Sequence, residues 1–367
     1  MTVDSDSVRR VGLEAGLAAV GVAAAEPFTN TREDLEDRRA QGLHAGMQFT
    51  YRNPARSTEP ERVLDGARAL VVGALGYRRA RPPRPEGASG RVAAYARHDH
   101  YADLRVMLAG IAEYLAAHGY GARVVADDNA LVDREAAYRA GLGWYGKNTN
   151  LLLPGQGSWF VLGSVVTDAP LDPAEAPVAD GCGPCRRCLD ACPTGAIVAP
   201  GVIDARRCLA WLVQASGTFP REHRAALGNR IYGCDDCQEV CPPNRLQERQ
   251  PVTLLSAAER PEVPVLSMLE APDDALLAEY RRWYIPKRDP RYLRRNALIV
   301  LGNTGSPGDA RTRAALAAAL ASDDAMLRAH AVWAAKRLGL DALLVELGDE
   351  SDPGVLEELG ADVDPRY

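Results

Sequence analysis

All eight cysteines of this 367-residue chain lie between positions 182 and 241. The first four, Cys182, Cys185, Cys188 and Cys192, stand before Pro193 in the pattern C-x2-C-x2-C-x3-C-P. This pattern is typical of bacterial ferredoxins, in which the fourth cysteine binds the other cluster of a two-cluster unit. The reason is geometric, since a cysteine four residues after a tight loop has already turned into the next helix. The sequence therefore predicts two iron–sulfur clusters with exchanged ligands.

The remaining cysteines form a second, incomplete run. Cys234, Cys237 and Cys241 precede Pro242, and Cys208 stands alone upstream in a segment with helical character. We assign one 4Fe-4S cluster to Cys182, Cys185, Cys188 and Cys241. The other cluster takes Cys192, Cys208, Cys234 and Cys237. Two zinc sites with four cysteines each are the alternative, but zinc does not explain a three-cysteine run that ends in Cys-Pro.

The composition places these clusters in a folded, soluble protein. Hydrophobic residues make up 47% and charged residues 25% of the chain, the formal net charge is −6, and the length predicts two or three domains. Neither a secretory segment nor an apolar stretch of membrane-spanning length is visible, so the sequence predicts a cytoplasmic protein without a membrane partner. Clustered cysteines then indicate metal binding rather than disulfides. Because clusters carry electrons without catalysing by themselves, a further group must receive them.

The elements that position these residues belong to an α+β fold. Residues 69–77, 122–126 and 159–168 are β-branched runs bounded by Gly, Pro and Asp, which predicts strands. Residues 101–119 and 131–143 show helical periodicity that ends in glycine. An α+β domain is therefore expected before the cysteines.

The sequence after residue 250 is rich in alanine and leucine and contains an internal repeat. Residues 293–302 align with residues 327–336 at an offset of 34, and a further helical segment, 310–322, lies between them. Paired helices at this period predict HEAT-like repeats, which stack into a curved surface. We therefore expect three domains, at residues 1–175, 176–250 and 251–367.

A basic segment at residues 281–295 stands out in this acidic chain. Trp283, Tyr284 and Tyr292 are interleaved with seven basic residues and a single aspartate. Such a segment is typical of a surface that follows phosphates while its aromatic rings stack on unpaired bases. The candidate RNA-binding residues are Arg281, Arg282, Lys287, Arg288, Arg291, Arg294 and Arg295. The alternative is a solvated segment that pairs with the acidic tail at 349–365.

Four segments of the chain resemble the epoxyqueuosine reductase family. They are "GARALVVGALGY" (66–77), "GLGWYGKNTNLL" (141–152), "IDARRCLAWL" (203–212) and "LGNRIYGCDDCQEVCPPN" (227–244). The resemblance implies a nitroreductase-like domain that binds cobalamin, a ferredoxin-like domain with two 4Fe-4S clusters, and a HEAT-like helical domain. It also implies a reaction: the epoxide of epoxyqueuosine at the wobble position of tRNA is reduced to an alkene, and its oxygen leaves as water. Electrons come from an external donor of low potential, and nothing in the sequence requires a partner subunit, so a monomer is expected.

The resemblance also implies roles for individual residues. Asp127 matches the family's proton donor, with Asp128 and Asp133 as neighbouring alternatives; a carboxylic acid can act in this way only if its pKa is raised. The residues implied to contact cobalamin are Arg56, Tyr95, Asp127, Gly146, Lys147 and Asn148.

One segment departs from the family pattern. Where the family has an Asp-Tyr-His triplet, this chain has His100, Tyr101 and Ala102, and His98 and His100 are the residues able to compensate. The departure keeps one other function open, a corrinoid iron–sulfur reductase of a small organic molecule, similar to dehalogenases. A second alternative, from a different class, is a non-catalytic electron carrier.

Overall fold

The computed structural model describes residues 3–80, 87–247 and 259–364. The strands are β1 (Ala19–Ala24), β2 (Ala69–Gly76), β3 (Ser89–Val92), β4 (Ala122–Ala126), β5 (Trp144–Tyr145), β6 (Leu151–Leu152), β7 (Phe160–Thr167), β8 (Ile197–Ala199), β9 (Val202–Ile203), β10 (Arg230–Tyr232) and β11 (Glu262–Pro264).

The α-helices are α1 (Ser5–Glu14), α2 (Thr29–Ala40), α3 (Phe49–Arg52), α4 (Pro54–Ser57), α5 (His100–Ala117), α6 (Asp133–Arg139), α7 (Arg187–Asp190), α8 (Leu209–Leu212), α9 (Arg221–Leu227), α10 (Asp236–Glu239), α11 (Pro242–Gln247), α12 (Val265–Glu270), α13 (Asp273–Glu279), α14 (Arg291–Thr304), α15 (Ala310–Leu320), α16 (Ala325–Arg337) and α17 (Pro353–Gly360). Short 3-10 helices span Pro60–Arg62, Ala94–Ala96, Pro286–Arg288 and Asp341–Leu347.

These elements form two compact units, each assembled from three stretches of chain. The described residues of the first unit come from Met1–Ala80, His98–Arg206 and Asp235–Leu254. Those of the second unit come from Arg81–Arg97, Arg207–Cys234 and Leu255–Tyr367. Helices and strands occur in both, and the prediction of a mixed α+β fold is confirmed.

The first unit is built on a four-stranded antiparallel sheet in the order β1-β2-β7-β4. The three strands predicted from the β-branched runs are its β2, β4 and β7. α5 contacts one face of the sheet, where Gly73 of β2 and Gly163 of β7 are directly paired. A Cβ atom at either glycine would lie about 3.0 or 2.9 Å from a methyl group of Leu108, so glycine is needed for this close approach of the helix.

The other face of the sheet carries α6 and the segment that leads to the cysteines. Ala136 and Ala137 of α6 pack into one buried apolar cluster with Leu70 and Val72 of β2. The helix predicted at 131–143 is shorter, because Gly141 adopts a left-handed φ of 70° and ends it. The following residues form the β5–β6 hairpin, and its turn contains the glycine–lysine loop.

The second unit combines a three-stranded sheet, in the order β10-β3-β11, with a group of helices. The three segments predicted as helices from the internal repeat are α14, α15 and α16, and α16 contacts both of the others. Its apolar core is centred on α14 and α16, which supply residues such as Leu298, Ile299, Val332 and Trp333. In the described parts of the chain, no helix combines the length and apolar character needed to cross a membrane.

Candidate functional site

Two short helices that pack against each other in the first unit carry one cysteine from each run. Cys188 lies in α7, and Cys237 lies in α10. Cys182 and Cys185 precede α7 in a turn closed by a 3.1 Å bond from the Cys185 amide to the Cys182 carbonyl. Cys241 directly follows α10. Each run therefore consists of a tight loop and one helical turn, and its last cysteine, Cys192 or Cys241, follows the helix instead of lying within it.

The four thiols assigned to one cluster influence one another electrostatically. Burial raises the pKa of the Cys241 thiol to about 11, and the neighbouring Cys182, Cys188 and Cys185 add to this rise. Burial likewise raises the pKa of Cys188, with contributions from Cys182 and Cys185. The structure thus brings Cys241, from the second run, to the first three cysteines of the first run.

The other four cysteines are divided between the two units. In the first unit, the Cys192 thiol accepts a hydrogen bond from the Ala196 amide at 3.2 Å, and Cys237 lies in α10. In the second unit, Cys208 stands directly before α8 with extended backbone, and Cys234 packs beside the apolar core. All eight cysteines are half-buried and none forms a disulfide.

The loop around the first run is already shaped to surround a ligand. The Asp180 carboxylate accepts bonds from the amides of Cys182 and Gly183, at 3.0 and 3.3 Å. Lys147 donates to the carbonyls of Gly183 and Cys185 at 2.6 and 3.0 Å. Among the described residues, no group of three or more His, Cys, Asp or Glu side chains is arranged to hold a metal ion. A cubane needs a wider arrangement, because each thiolate binds a different iron, and the thiol donor set suits it.

The glycine–lysine loop, Gly146, Lys147 and Asn148, is tied to both cysteine runs. Asn148 is only 3% exposed, and its amide nitrogen donates to the carbonyl of Cys237 at 3.3 Å. Its amide oxygen accepts from the Asn150 amide at 3.2 Å. The loop implied to contact cobalamin is therefore bonded to carbonyls of both runs, through Lys147 to the first and through Asn148 to the second.

A frame of buried amides supports the second run, and sequence reasoning missed it. Gln238, in α10, lies within hydrogen-bond distance of the Tyr77 hydroxyl and of Ser158. Asn244 donates to the Ser158 hydroxyl and to the Gln238 carbonyl, both at 2.9 Å, and accepts from the Ser158 amide at 2.6 Å. The amides within "CQEVCPPN" were the available signal, because polar side chains beside buried cysteines need partners.

Asp127 occupies a strained position at the end of β4. Its φ of 53° lies in the left-handed region, which a non-glycine residue adopts at a cost of about 1 kcal/mol or more. Arg105 of α5 donates to the Ala126 carbonyl at 2.6 Å, and Asp128 accepts from the Ala130 amide at 2.9 Å. The Asp127 side chain is reachable from solvent, yet partial burial raises the pKa of its carboxyl group against the opposing charge of Arg105.

Two further titratable groups interact with Asp127. Burial raises the pKa of Asp133 well above its ordinary value, and the charge of Asp127 raises it further. Burial also raises the pKa of Tyr101, and the charges of Asp127 and Asp133 add to this effect. Tyr101, the tyrosine that this chain shares with the family triplet, therefore lies near both carboxyl groups.

The histidines beside Tyr101 contact different groups. The His100 ring is buried beside Tyr77, with ring centroids 5.6 Å apart, and Tyr77 is a member of the amide frame. His98 lies 5.1 Å from His100 between ring centroids and pairs with Asp103 at 2.9 Å. His100 is thus held in the interior of the first unit rather than on its surface.

A cavity of about 300 Å³ lies next to the loop that carries Asp127. It is lined by Phe49, Arg52, Asn53, Arg56, Ser57 and Asn129. Ser57 donates to the Asn129 carbonyl at 2.6 Å, which joins the cavity wall to the Asp127 loop. Arg56 therefore lines a cavity of the first unit whose wall includes Asn129 of the Asp127 loop. Tyr95 lies in the second unit, directly after β3, where its ring is 6.5 Å from that of Tyr232.

The basic segment of the second unit divides into exposed and engaged residues. Arg281, Arg282, Lys287, Arg288 and Arg291 are exposed. Of these, Arg288 also donates to three backbone carbonyls, and Arg291 pairs with Asp289 at 2.8 Å and with Asp324 at 3.5 Å. Arg294 pairs with Asp273 at 2.6 Å and is largely covered. Trp283 is buried against Tyr232, whereas Tyr284 is 54% exposed. No ion pair among the described residues joins this segment to the acidic tail.

Arg295 faces the interior instead of solvent. It is 1% exposed, and its guanidinium donates to the carbonyls of Leu212, Ala215 and Gly217 at 3.0, 2.8 and 2.6 Å. Burial lowers the pKa of Arg295 to about 10. The side chain fixes the segment after α8, the helix that directly follows Cys208, and it has no free donor face for RNA. The prediction that Arg295 contacts RNA is therefore wrong, and Arg295 is removed from the candidate RNA-binding residues.

The cysteine region matches a known family. Residues 181–244 match the family described as a 4Fe-4S double cluster binding domain. This range contains both cysteine runs and Cys208, so it covers every thiol of the chain.

Similarity to proteins of comparable length extends over almost the whole chain. An epoxyqueuosine reductase from Xanthomonas campestris is 36% identical over 345 residues, which cover 91% of this chain and 96% of that protein. An epoxyqueuosine reductase from Bacillus anthracis is 31% identical over 359 residues, covering 94% of this chain and 92% of that protein.

Solved structures agree with this similarity. The crystal structure of an epoxyqueuosine reductase with an epoxyqueuosine-modified tRNA-Tyr stem loop has a TM-score of 0.85 and 28% identity, and the match covers 96% of each chain. An epoxyqueuosine reductase from Streptococcus thermophilus has a TM-score of 0.84 and 26% identity, again covering 96% of each chain.

Proposed function

Because the chain belongs to the epoxyqueuosine reductase family, we propose that it reduces the epoxide of epoxyqueuosine in tRNA to an alkene, with Asp127 as the proton donor. The chain is an oxidoreductase whose cofactors are two 4Fe-4S clusters and cobalamin. The observation that carries the assignment of Asp127 is its strained loop, in which burial raises the pKa of the acid beside a polar cavity.

The residues of this chain divide the chemistry between them. Cobalamin, when bound, supplies the metal centre that passes electrons to the substrate ring. The cysteines hold the clusters that deliver those electrons one at a time from an external donor of low potential. Asp127 holds a proton at a pH where an ordinary aspartate has lost it, and it gives this proton to the departing epoxide oxygen.

The cobalamin contacts remain part of the proposal. Arg56 lines the cavity in the first unit, Asp127 belongs to the loop that contributes Asn129 to its wall, and the arginine and amide lining suits the amides and phosphate of cobalamin. Tyr95 stays a proposed cobalamin contact. Lys147 and Asn148 are bonded to carbonyls of the cysteine runs, and we propose that they and Gly146 act on the cofactor site by holding those runs in place.

The architecture and setting of the enzyme complete the proposal. The antiparallel sheet with helices on both faces supports a nitroreductase-like domain, and the packing of α14, α15 and α16 supports HEAT-like repeats. The division at residues 175 and 250, a monomeric state and a cytoplasmic location are proposed with it. Reduction of a small organic molecule and non-catalytic electron transfer are not favoured, because the similarity covers nearly the full chain.

The proposed function is tested with protein prepared without oxygen, incubated with cobalamin and supplied with a low-potential reductant. Two cubanes predict about eight irons per chain with about one cobalt retained. A stem-loop RNA that carries the epoxide should lose the mass of one oxygen atom, while the same RNA without the epoxide should be unchanged. About two zincs and no iron would contradict the redox assignment.

We also propose that the exposed part of the basic segment binds the RNA backbone. Replacing Arg281 and Lys287 with Glu should weaken binding of the stem loop. The slope of the logarithm of the binding constant against the logarithm of the salt concentration should also become shallower by about two, because each lysine or arginine on a phosphate releases about one counterion. Arg313→Glu, at an exposed position of α15, is the matched control for a change of charge alone. The measurement is RNA affinity as a function of salt concentration, and an unchanged slope in the double variant would remove this surface from the RNA site.

A further inference from the structure

The proposed reaction needs two protons, whereas one carboxyl group holds only one. When an epoxide becomes an alkene, both C–O bonds break, the two carbons form a double bond, and the oxygen leaves as water. This change takes up two electrons and two protons. The inference that follows therefore rests on the proposed function. Both protons must reach the same oxygen. Asp127 must therefore regain a proton after the first transfer, or a second acid must supply the second proton.

A second acid, Asp133, is the first residue of α6 and follows the Asp127 loop in the chain. Its Oδ1 atom is shielded from solvent and has no hydrogen-bond partner among the described residues. The Asp127 backbone amide and the charge of the Asp127 side chain both act on the pKa of the Asp133 carboxyl group. A shielded oxygen without a donor is costly for a carboxylate and much less costly for a neutral acid. The surroundings of Asp133 therefore favour its protonated form.

We propose that Asp133 stores the second proton and passes it to Asp127 between the two proton transfers. In the first transfer, the O–H bond of Asp127 breaks and the epoxide oxygen gains the proton as its first C–O bond breaks. The O–H bond of Asp133 then breaks as a new one forms on Asp127. The second transfer protonates the same oxygen, which leaves as water as the second C–O bond breaks. Asp133 regains a proton from solvent, and both electrons come from the external one-electron reductant.

The charged groups around Asp133 support this order. Burial raises the pKa of Asp133 well above its ordinary value, and Asp127 and Asp128 raise it further, whereas the Asp127 amide and Arg134 lower it. Burial also raises the pKa of Asp127; Arg105 opposes this rise, and Asp99 and Asp128 add to it. The upward shift is larger at Asp133, so its surroundings favour the acid form more strongly than those of Asp127 do.

Tyr101, in α5, is the third titratable residue that interacts with Asp127 and Asp133. Burial and the charges of Asp127 and Asp133 raise the pKa of its phenol, so the hydroxyl stays protonated at neutral pH. The transfer of a proton from Asp133 to Asp127 is favourable overall because the substrate oxygen, which finally accepts the proton, is strongly basic. An alkoxide or a departing hydroxide is a far stronger base than either carboxylate, since water and alcohols are far weaker acids than carboxylic acids.

A structural role for Asp133 leads to different expectations. A carboxylate in the first turn of α6 would stabilise the helix through the backbone dipole, and that role needs the ionised form. Removing such a carboxylate would lower the stability of the fold at neutral pH without changing the pH dependence of the reaction. The proton-store role needs the acid form, so the pH profile separates the two.

The experiment compares Asp133→Asn and Asp133→Glu with the parent chain, all loaded with iron and cobalamin, on the epoxide-bearing stem loop. We expect the Asn variant to keep its cofactors and its KM but to lose roughly 10-fold to 100-fold in kcat above neutral pH. The loss should shrink at lower pH, where solvent can recharge Asp127 directly. The Glu variant, which restores an acid, should recover most of the rate.

The outcomes separate this inference from the function on which it rests. An inactive parent chain would contradict the proposed function. An active parent with an Asn variant that keeps the parental kcat at every pH would overturn the role of Asp133. A rate loss that is equal at all pH values, accompanied by a lower melting temperature and not rescued by Glu, would show that Asp133 is only structural and would equally overturn it.

Discussion

Replacing Asp127 with Asn is expected to lower turnover of the epoxide-bearing RNA by about 10²-fold to 10⁴-fold, the range that a positioned general acid contributes. The amide has nearly the same shape but has no proton to give at neutral pH. Iron content, cobalamin content and RNA affinity should match those of the parent chain. Single-turnover kinetics with both proteins at equal cofactor loading would measure the effect.

The raised pKa of Asp127 also predicts how the reaction rate changes with pH. Burial raises the pKa of Asp127, and Arg105 opposes that rise without cancelling it. Asp127 acts in its protonated form, so a raised pKa extends the active range to higher pH. The rate of the parent chain should fall as the pH rises through the pKa of Asp127, and the Asn variant should lack this descending limb.

A neighbouring aspartate provides the matched control. Asp128 is exposed and caps the turn through the Ala130 amide, a bond that an Asn side chain can also accept. Asp128→Asn should therefore keep the parental rate. Full activity of the Asp127→Asn protein would assign the proton donor to Asp133 or to water instead.

The second large effect concerns which cysteines share a cluster. The double variant Cys188→Ala, Cys241→Ala removes two ligands from one proposed cluster, and about four irons should remain in the other. The double variant Cys188→Ala, Cys192→Ala changes neighbouring residues of one run but takes one ligand from each cluster. It should leave no cluster with four thiolates. Iron analysis with low-temperature EPR of the reduced proteins measures both outcomes.

The opposite result is equally well defined. If each run bound its own cluster, Cys188 and Cys192 would share one cubane, and the two double variants would exchange their outcomes. A full set of spectroscopically intact clusters in the Cys188→Ala, Cys192→Ala protein would also contradict the exchange of ligands. Folding of both variants can be checked by far-UV circular dichroism, because the sheet of the first unit does not include either run.

The cysteine chemistry and the main strands could be predicted from the sequence because both depend on local spacing. Three-residue intervals place thiols around a loop, and β-branched runs at 69–77, 122–126 and 159–168 became the strands β2, β4 and β7. The helix predicted at 131–143 was too long. Its end depends on the left-handed Gly141, and the apolar residues that follow it serve a hairpin rather than a helix.

Arg295 illustrates a signal that charge counting overlooks. It lies one helical turn before the buried Leu298 and Ile299, so the periodicity of α14 places it on the apolar face. Counting lysines and arginines along 281–295 treats it as equal to its exposed neighbours. Its true partners are carbonyls about eighty positions earlier in the chain, a distance at which no local pattern operates.

The buried amides beside the second cysteine run have a consequence for electron transfer itself. Each electron that enters a cluster adds a negative charge, to which charged or mobile side chains would respond by moving. Gln238 and Asn244 carry no net charge, and their amide nitrogens already donate to partners that include Ser158 and Tyr77. Fixed neutral dipoles need little rearrangement when a nearby charge changes. We therefore expect a low reorganisation energy next to Cys241, so that an electron leaves the cluster as readily as it arrives.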